Sequence, residues 1–285
     1  MAKLILLRFG ELWLKSESVK KRFLTILQRN IRALLDSKEI KHSFRASRTR
    51  FFIETEEYEK AIPVLRRVFG ISSFSLVTKT DIKGLEKEVL LLAGTFKKTD
   101  TFVVRAKREG THTFTSQELE RNLGALVVGK FGFKVNLTKP DNTIRVEVRN
   151  NDAYVYAEVI RGAGGLPLGA EGKVLGLITK DKKSIAAVWL IMRRGARAIL
   201  VLLEGGAEKH VEVLRKFDPH IKIADGTNFL DIAEDYGAKA VVVPEQLDDV
   251  GKYVGAEKIR PLAVFRPLVG MDENDIDKIF VRMQK

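Results

Sequence analysis

The chain contains no cysteine. It can therefore form no disulfide, offer no thiolate to a metal and carry no persulfide of its own. Nowhere do apolar residues run on for the roughly 20 positions a membrane-spanning helix needs. The opening MAKLILLRFG is apolar but meets charge at Arg8 and Glu11 and lacks a small-residue cleavage site. It reads as a first strand rather than a signal peptide, and the expectation is a cytoplasmic protein away from any membrane. Asn and Gln are scarce beside abundant Lys, Arg and Glu, a composition that suits a thermophile and says nothing about function.

What is present is a basic globular chain. Its 285 residues, 45% apolar and 31% charged, are enough for two or three domains with real cores. The net charge of +13 is unevenly placed. Residues 1–55 carry 13 basic and 5 acidic side chains, residues 56–165 carry 18 and 14, and residues 166–285 carry 19 and 18. Nearly all the excess thus lies in the first 165 residues. A solvated surface mixes its signs evenly, whereas a concentrated basic field suits a polyphosphate partner, whose bound counterions are released on contact.

Strand-like and helix-like periods alternate along the chain. A short apolar run at Leu4–Phe9 precedes helical spacing over Glu17–Leu35, which Ser16 or Ser18 could cap. Strands are expected at 40–44, 51–54 and 73–78, with a helix at 58–68 between the last two. That β-α-β-β-α-β order is ferredoxin-like. A second block follows: a helix near 85–92, a strand at 102–107, a helix from Ser116 to about 129, and a hairpin of 144–149 with 153–159 turning at Asn150–Asp152. Residues 161–169, RGAGGLPLG, break every period and read as a linker. Strands at 174–178, 198–203, 221–224 and 240–243 then alternate with helices at 184–194, 208–217 and 229–236. This alternation predicts a parallel doubly wound sheet. The expected division is 1–75, 76–165 and 170–285. There are no internal repeats and no low-complexity tracts.

Three segments carry chemistry. In FGELWLKSESVKKRF, Lys15, Lys20, Lys21 and Arg22 surround the start of the first long helix, whose amides and cations would suit a phosphate; a capped helix with exposed lysines is the alternative. In VRAKREGTHTFTS, Arg105 and Lys107 point to one strand face and Arg108 to the other. They precede a loop with His112 and Phe114, then a helix capped by Ser116. Cations and an aromatic at a strand end suit a grip on a nucleic-acid backbone with base stacking, while His112 alone is more simply a hydrogen-bonded loop residue than a catalyst. In VLGLITKDKKS, Leu177, Ile178, Thr179, Lys183 and Ser184 form the first strand-to-helix turn of a nucleotide-binding fold.

Together with GGLPLG, the MRRG run at Met192–Gly195 and FRPLVGMD at Phe265–Asp272, these segments resemble the tRNA 4-thiouridine synthetase (tRNA sulfurtransferase) family over nearly the whole chain. The resemblance implies an N-terminal ferredoxin-like domain over 1–75, a THUMP RNA-binding domain over 76–165 and a PP-loop ATP-pyrophosphatase domain over 170–285. It implies that the first two domains hold the acceptor end of a tRNA. It also implies that the third, with ATP and Mg, adenylates a uridine that then takes sulfur from a cysteine persulfide. A homodimer, a separate sulfur-transfer enzyme as partner and a link to thiamine synthesis are further implications.

The chain departs from that pattern in its third domain. The family's Ser-Gly-Gly-x-Asp-Ser lets a glycine backbone wrap phosphate. Here Thr179 stands for the first Ser, Lys180 and Asp181 for the glycines, and Lys183 for the Asp; only Ser184 remains. Pro244 takes the glycine position of a second ATP-facing stretch, the cysteines are gone, and the segment between Leu203 and Ala240 is short. The expectation is a tRNA-binding protein with no catalytic residues of its own and a vestigial nucleotide turn. The alternatives are a working sulfurtransferase with an unusual ATP site and an external sulfur donor, and a basic α/β protein that binds an anionic metabolite.

Overall fold

The structure, a computed structural model, describes residues 3–10, 16–47, 49–226, 228–254 and 259–284. Among these residues no helix is long and apolar enough to cross a membrane. The first elements are β1 (Lys3–Phe9), α1 (Glu17–Asp36), β2 (Ser43–Ala46), β3 (Phe51–Thr55), α2 (Tyr58–Leu65) and β4 (Ile71–Asp81). Then come α3 (Leu85–Ala93), β5 (Thr101–Glu109), α4 (Ser116–Phe131), β6 (Lys134–Val135), β7 (Asn142–Arg149), β8 (Asp152–Tyr156) and β9 (Ile160–Arg161). The remainder is β10 (Lys173–Ile178), α5 (Lys183–Arg193), β11 (Arg197–Leu202), α6 (Glu208–Arg215), β12 (Lys222–Ala224), α7 (Phe229–Tyr236), β13 (Ala240–Val242), β14 (Ala263–Phe265) and α8 (Glu273–Gln284).

Two sheets organise these elements. One runs in the order β2-β3-β1-β4-β8-β7-β5-β6, with β9 paired to β4. Its first four strands have the ferredoxin-like order, and β4 continues directly into the strands of the following segment. The expected boundary near residue 75 therefore falls inside a single strand. The second sheet, β12-β11-β10-β13-β14, is parallel throughout. The fold is α/β: a ferredoxin-like N-terminal domain, a THUMP domain and a C-terminal parallel-sheet domain.

The chain gathers into two compact units. One comprises Met1–Leu7, His42–Tyr58 and Phe74–Ile160; the other comprises Arg8–Lys41, Glu59–Ser73 and Arg161–Lys285. Helix α1 and most of α2 thus belong with the C-terminal sheet, although the sequence places them in its first segment. In the first unit, Leu85 and Val89 of α3 and Leu123 and Val127 of α4 cluster with Phe102, Val104, Ile144 and Val146. In the second, the period of two along β10 divides the side chains between both faces of the sheet. Val174 and Ile178 join a core with α5, α6 and α8, while Leu175 and Leu177 join one with α7.

The Gly-rich 161–169 segment is a packed connector rather than a loose linker. The Gly162 amide donates to the Ser72 carbonyl at 3.1 Å, the Gly164 amide to Ile71 at 2.8 Å and the Leu166 amide to Arg193 at 3.0 Å. Asn30 of α1, itself buried, donates to the Leu168 carbonyl at 2.9 Å. Glycine is demanded by close approach. A Cβ on Gly162 would lie 2.3 Å from the Ile71 carbonyl oxygen, and one on Gly165, whose φ is +72°, would lie 2.1 Å from that of Arg193. A break in periodicity signals the absence of helix and strand, and says nothing of looseness. Gly165→Ala combines a left-handed backbone with a collision against main chain, and we expect it to cost about 3 kcal/mol or more; urea denaturation showing unchanged stability would refute this.

Candidate functional site

Strand β5 delivers the basic segment of the first unit. Burial alternates along it: Ala106 is buried while Arg105 and Lys107 are exposed, and Arg108 is exposed beyond them. Arg105 donates through Nη2 to the Leu137 carbonyl at 2.8 Å, and its Nη1 stands 3.8 Å from Glu120. The other Glu120 oxygen accepts the Ala106 amide at 2.8 Å, so one α4 carboxylate orients both the strand and its cation. Past the strand, His112 and Phe114 stack at 5.3 Å between ring centroids with 25° between planes, both half-buried. The Nε2 of His112 lies 3.1 Å from the Glu109 carbonyl oxygen. A carbonyl only accepts, so this bond requires the Nε2–H form. In that form His112 ties the loop to the end of β5.

The helix after the loop is capped by Thr115, where Ser116 was expected. Thr115 Oγ1 accepts the Glu118 amide at 3.1 Å and Glu118 accepts the Thr115 amide at 2.7 Å, a reciprocal pair that needs an acceptor side chain three positions after the cap. The Thr115 backbone and side-chain hydrogen bonds hold the Glu118 carboxyl below its ordinary range.

Sequence reasoning missed the charged network beneath this loop. Glu147 is 2% exposed. It accepts from Arg50 Nε at 3.2 Å, Arg149 Nη2 at 3.3 Å and the Tyr156 hydroxyl at 3.0 Å. Arg149 also donates to Glu109 at 2.5 Å, and Thr49 donates to the same Glu109 oxygen at 2.9 Å. The only signal in sequence is the alternation Arg145-Val146-Glu147-Val148-Arg149, which sets three charges on one strand face.

Lys20, Lys21 and Arg22 lie on α1 in the second unit. Lys20 is 8% exposed with Glu17 at 3.5 Å, Lys21 is exposed, and Arg22 is exposed with Nη2 donating to the Ala170 carbonyl at 3.3 Å. Helical spacing put Lys20 on the side of Phe23 and Leu27, which explains its burial. Lys15 lies outside the described residues.

At the turn after β10, Leu177, Ile178 and Thr179 are buried, as is Ser184. The chain's own side chains take up its amides. Thr179 N–H donates to Ser184 Oγ at 3.2 Å, Lys180 N–H to Glu204 Oε1 at 2.6 Å, Asp181 N–H to Thr179 Oγ1 at 3.2 Å and Lys183 N–H to Asp181 Oδ1 at 2.9 Å. The Ser184 amide donates to the Asp181 carbonyl at 3.1 Å. Two carboxylates, Asp181 and Glu204, thus hold amides that a phosphate would need. The lysines are engaged as well. Lys183 Nζ donates to Gln246 at 2.6 Å and pairs with Glu273 at 2.5 Å, and the Glu273 bond raises its pKa. Lys182 pairs with Asp277 at 2.7 Å, which raises its pKa likewise.

The opposing loop is built on a fully buried carboxylate. Glu245 accepts the Gly251 and Tyr253 amides at 3.0 Å each and Arg266 Nε at 2.5 Å. Burial pushes its pKa up, but these amides and the guanidinium outweigh burial and leave it below the ordinary value of 4.5.

The comparisons with known proteins follow the same segments. Residues 4–75 match the model of the ThiI ferredoxin-like domain and residues 79–158 that of the THUMP domain. A Methanocaldococcus jannaschii protein named "Probable tRNA sulfurtransferase" is 30% identical over 329 aligned positions, which cover 96% of this chain and 86% of that protein. The chain belongs to the tRNA sulfurtransferase family. A Methanosarcina acetivorans relative of the same name is 41% identical over 67% of this chain and 48% of its own length. The chain spans about half to two thirds of the length of the first such relatives, from 48% to 65%. Among solved structures, PH1313 from Pyrococcus horikoshii Ot3 superposes with a TM-score of 0.86 at 26% identity, over 99% of this chain and 100% of that one. A 4-thiouridine synthetase solved with RNA and bound ATP gives 0.81 at 24% identity, over 99% and 85%, and shares the fold.

The sign of the Glu245 effect follows from its lowered pKa. A carboxyl held below its unfolded value contributes stability that is present above that value and is lost as pH falls through the folded one. Glu245→Gln removes a buried charge from Arg266 and is expected to cost about 2–4 kcal/mol at pH 7. The difference from the parent should shrink as pH falls below about 4.5. Denaturation curves at pH 7 and pH 3 check both; a difference that stayed constant with pH would refute the assignment.

Proposed function

We propose that this family member binds tRNA through basic side chains of its first 165 residues and does not carry out ATP-dependent thiolation. The observation that carries the second half is the internal closure of the 179–184 turn. Four of its amides are taken by the side chains of Ser184, Glu204, Thr179 and Asp181. A triphosphate with Mg would have to displace two carboxylates that repel it, from amides already satisfied. Lys180 and Asp181 add side chains where a backbone wrap needs glycine. The residues present do not fit the group. The absence of cysteine removes a resident persulfide as well.

Binding rests on Arg105, Lys107, Arg108, His112 and Phe114 at the end of β5, with Lys15, Lys21 and Arg22 as further cations. Lys20 contributes its apolar stem to α1 packing more than charge to a surface. On this reading the protein is a cytoplasmic tRNA-holding partner, acting as a homodimer that presents the acceptor end to a separate sulfur-transfer enzyme. Thiamine synthesis is not needed to account for any residue described.

Two measurements test it. Replacing Lys15, Arg22, Arg105, Lys107 and Arg108 together with Ala should weaken tRNA binding and flatten its salt dependence by about one unit per lost phosphate contact. Unchanged affinity and slope would rule out these residues. Separately, the purified protein is incubated with unmodified tRNA, Mg-ATP and an external sulfur donor, and 4-thiouridine is read by near-ultraviolet absorption. We expect tRNA binding without thiolation and without saturable ATP binding. Thiolation above a no-protein control, lost in Lys183→Ala, would instead establish a working sulfurtransferase.

A further inference from the structure

Glu109 is an acidic residue in a segment whose proposed partner is a polyanion. It follows Arg105, Lys107 and Arg108 on β5, and the alternation of a strand puts its side chain on the same face as Arg105 and Lys107. A carboxylate two residues from a cation that meets phosphate repels the same phosphate. The side chain is 49% exposed, so an ion pair made there contributes little to folding stability. What explains its place is what it holds.

The parallel register of β5 with β7 sets Glu109 beside Arg149. Arg149 Nη1 donates to Glu109 Oε2 and to Thr49 Oγ1, each at 2.5 Å, and the Thr49 hydroxyl donates to the same Glu109 oxygen at 2.9 Å. The three groups close a ring. Thr49 comes from the segment joining β2 and β3, where the Ser47 amide donates to the Arg50 carbonyl at 2.8 Å and the Arg50 amide donates to Ser47 Oγ at 3.1 Å. The main chain of Glu109 is engaged as well. Its carbonyl accepts the Asn150 amide at 3.0 Å and His112 Nε2 at 3.1 Å. Gly110 follows with φ +103°, and a Cβ there would stand 2.7 Å from Asn150 Oδ1. The β2–β3 segment, the β7–β8 turn and the start of the 110–114 loop thus meet at one residue. From that junction the ring of His112 goes on to stack with Phe114.

We propose that Glu109 is a positioning residue for RNA binding. Its carboxylate, latched by Thr49 and Arg149, fixes how the 110–114 loop leaves β5 and so where His112 and Phe114 stand relative to the cations of the strand. Thr49 lies in the segment matched by the ferredoxin-like model and Glu109 in that matched by the THUMP model, so one hydroxyl of the first sets the binding geometry of the second. The role rests on the tRNA reading of this segment and adds to it a residue that acts through its neighbours.

The sign of one substitution separates position from charge. Glu109→Ala removes a negative charge from among exposed cations and frees Arg149, so on charge alone it tightens tRNA binding. A lost latch weakens it. We expect the full-length Glu109→Ala protein to bind unmodified tRNA about three- to tenfold more weakly, the worth of one or two hydrogen bonds, with the salt slope of the parent because no cation is lost. Thr49→Val changes no charge and keeps the side chain's shape, and it should weaken binding in the same direction. Glu109→Ala/Thr49→Val should bind no more weakly than Glu109→Ala, since both break one latch. Urea denaturation verifies that each variant is folded, and Thr49→Val carries the comparison by itself if Glu109→Ala does not fold. Arg105→Ala/Lys107→Ala/Arg108→Ala is the reference. If it loses affinity and salt slope while Glu109→Ala and Thr49→Val bind as tightly as the parent or more tightly, the positioning role is overturned and the tRNA reading stands. If the reference variant also binds as the parent does, the tRNA reading of this segment falls and the positioning role falls with it.

Discussion

Main chain resting directly on main chain, at residues 162–165, is the contact on which the second unit depends. There is no room between Gly165 and the Arg193 carbonyl for even one carbon atom. Because the connector is pressed this close, hydrogen bonds run from it to residues 70–72 on one side and to the end of α5 on the other. Its continuation receives Asn30 and Arg22 from α1. Strand β10 enters the parallel sheet from a segment already fixed at several points, and the first unit's sheet is tied down separately by a buried carboxylate between two arginines. In both units the precision of the surface follows from what lies under it.

Two segments of the chain handle anions in opposite ways. At the turn after β10 the chain answers its own amides with Asp181 and Glu204. Under Glu245 two amides and Arg266 converge on a carboxylate from the same chain. These are anion sites in geometry, but the anion is covalently present and cannot leave. Along β5 the reverse holds: Arg105 has partners that orient it, while Lys107 and Arg108 stand exposed.

How much of this was legible in sequence depended on whether the signal was local. Apolar spacing located α1 to within one residue at its end, and α7 in full. The two-residue strands β6 and β9 carry no period and were invisible. Strand β14 and helix α8 were not read, the helix despite buried Ile276, Ile279 and Met283 at helical spacing. The basic segment at β5 was readable because its residues are neighbours. Its supports were not: Thr49, Arg50, Glu147 and Tyr156 come from separate strands and turns, and only pairing of β7 with β5 and β8 assembles them. The same holds for the assignment of α1 and α2 to the second unit, since which sheet a helix accompanies is settled by packing at long range.

The uninterrupted passage of β4 from the first matched segment into the second has a consequence for how the protein comes apart. Strand β4, eleven residues long, is paired with β1, with β9 and, over Thr78–Asp81, with β8. A cut placed between the segments, near residue 76, would leave each half with a severed strand and an unpaired edge, the kind of surface that invites association with other chains. Amide exchange would find one cooperative block, not two, and local opening in the ferredoxin-like strands would be felt in the THUMP strands. Segments that sequence families treat as separate modules here share one sheet.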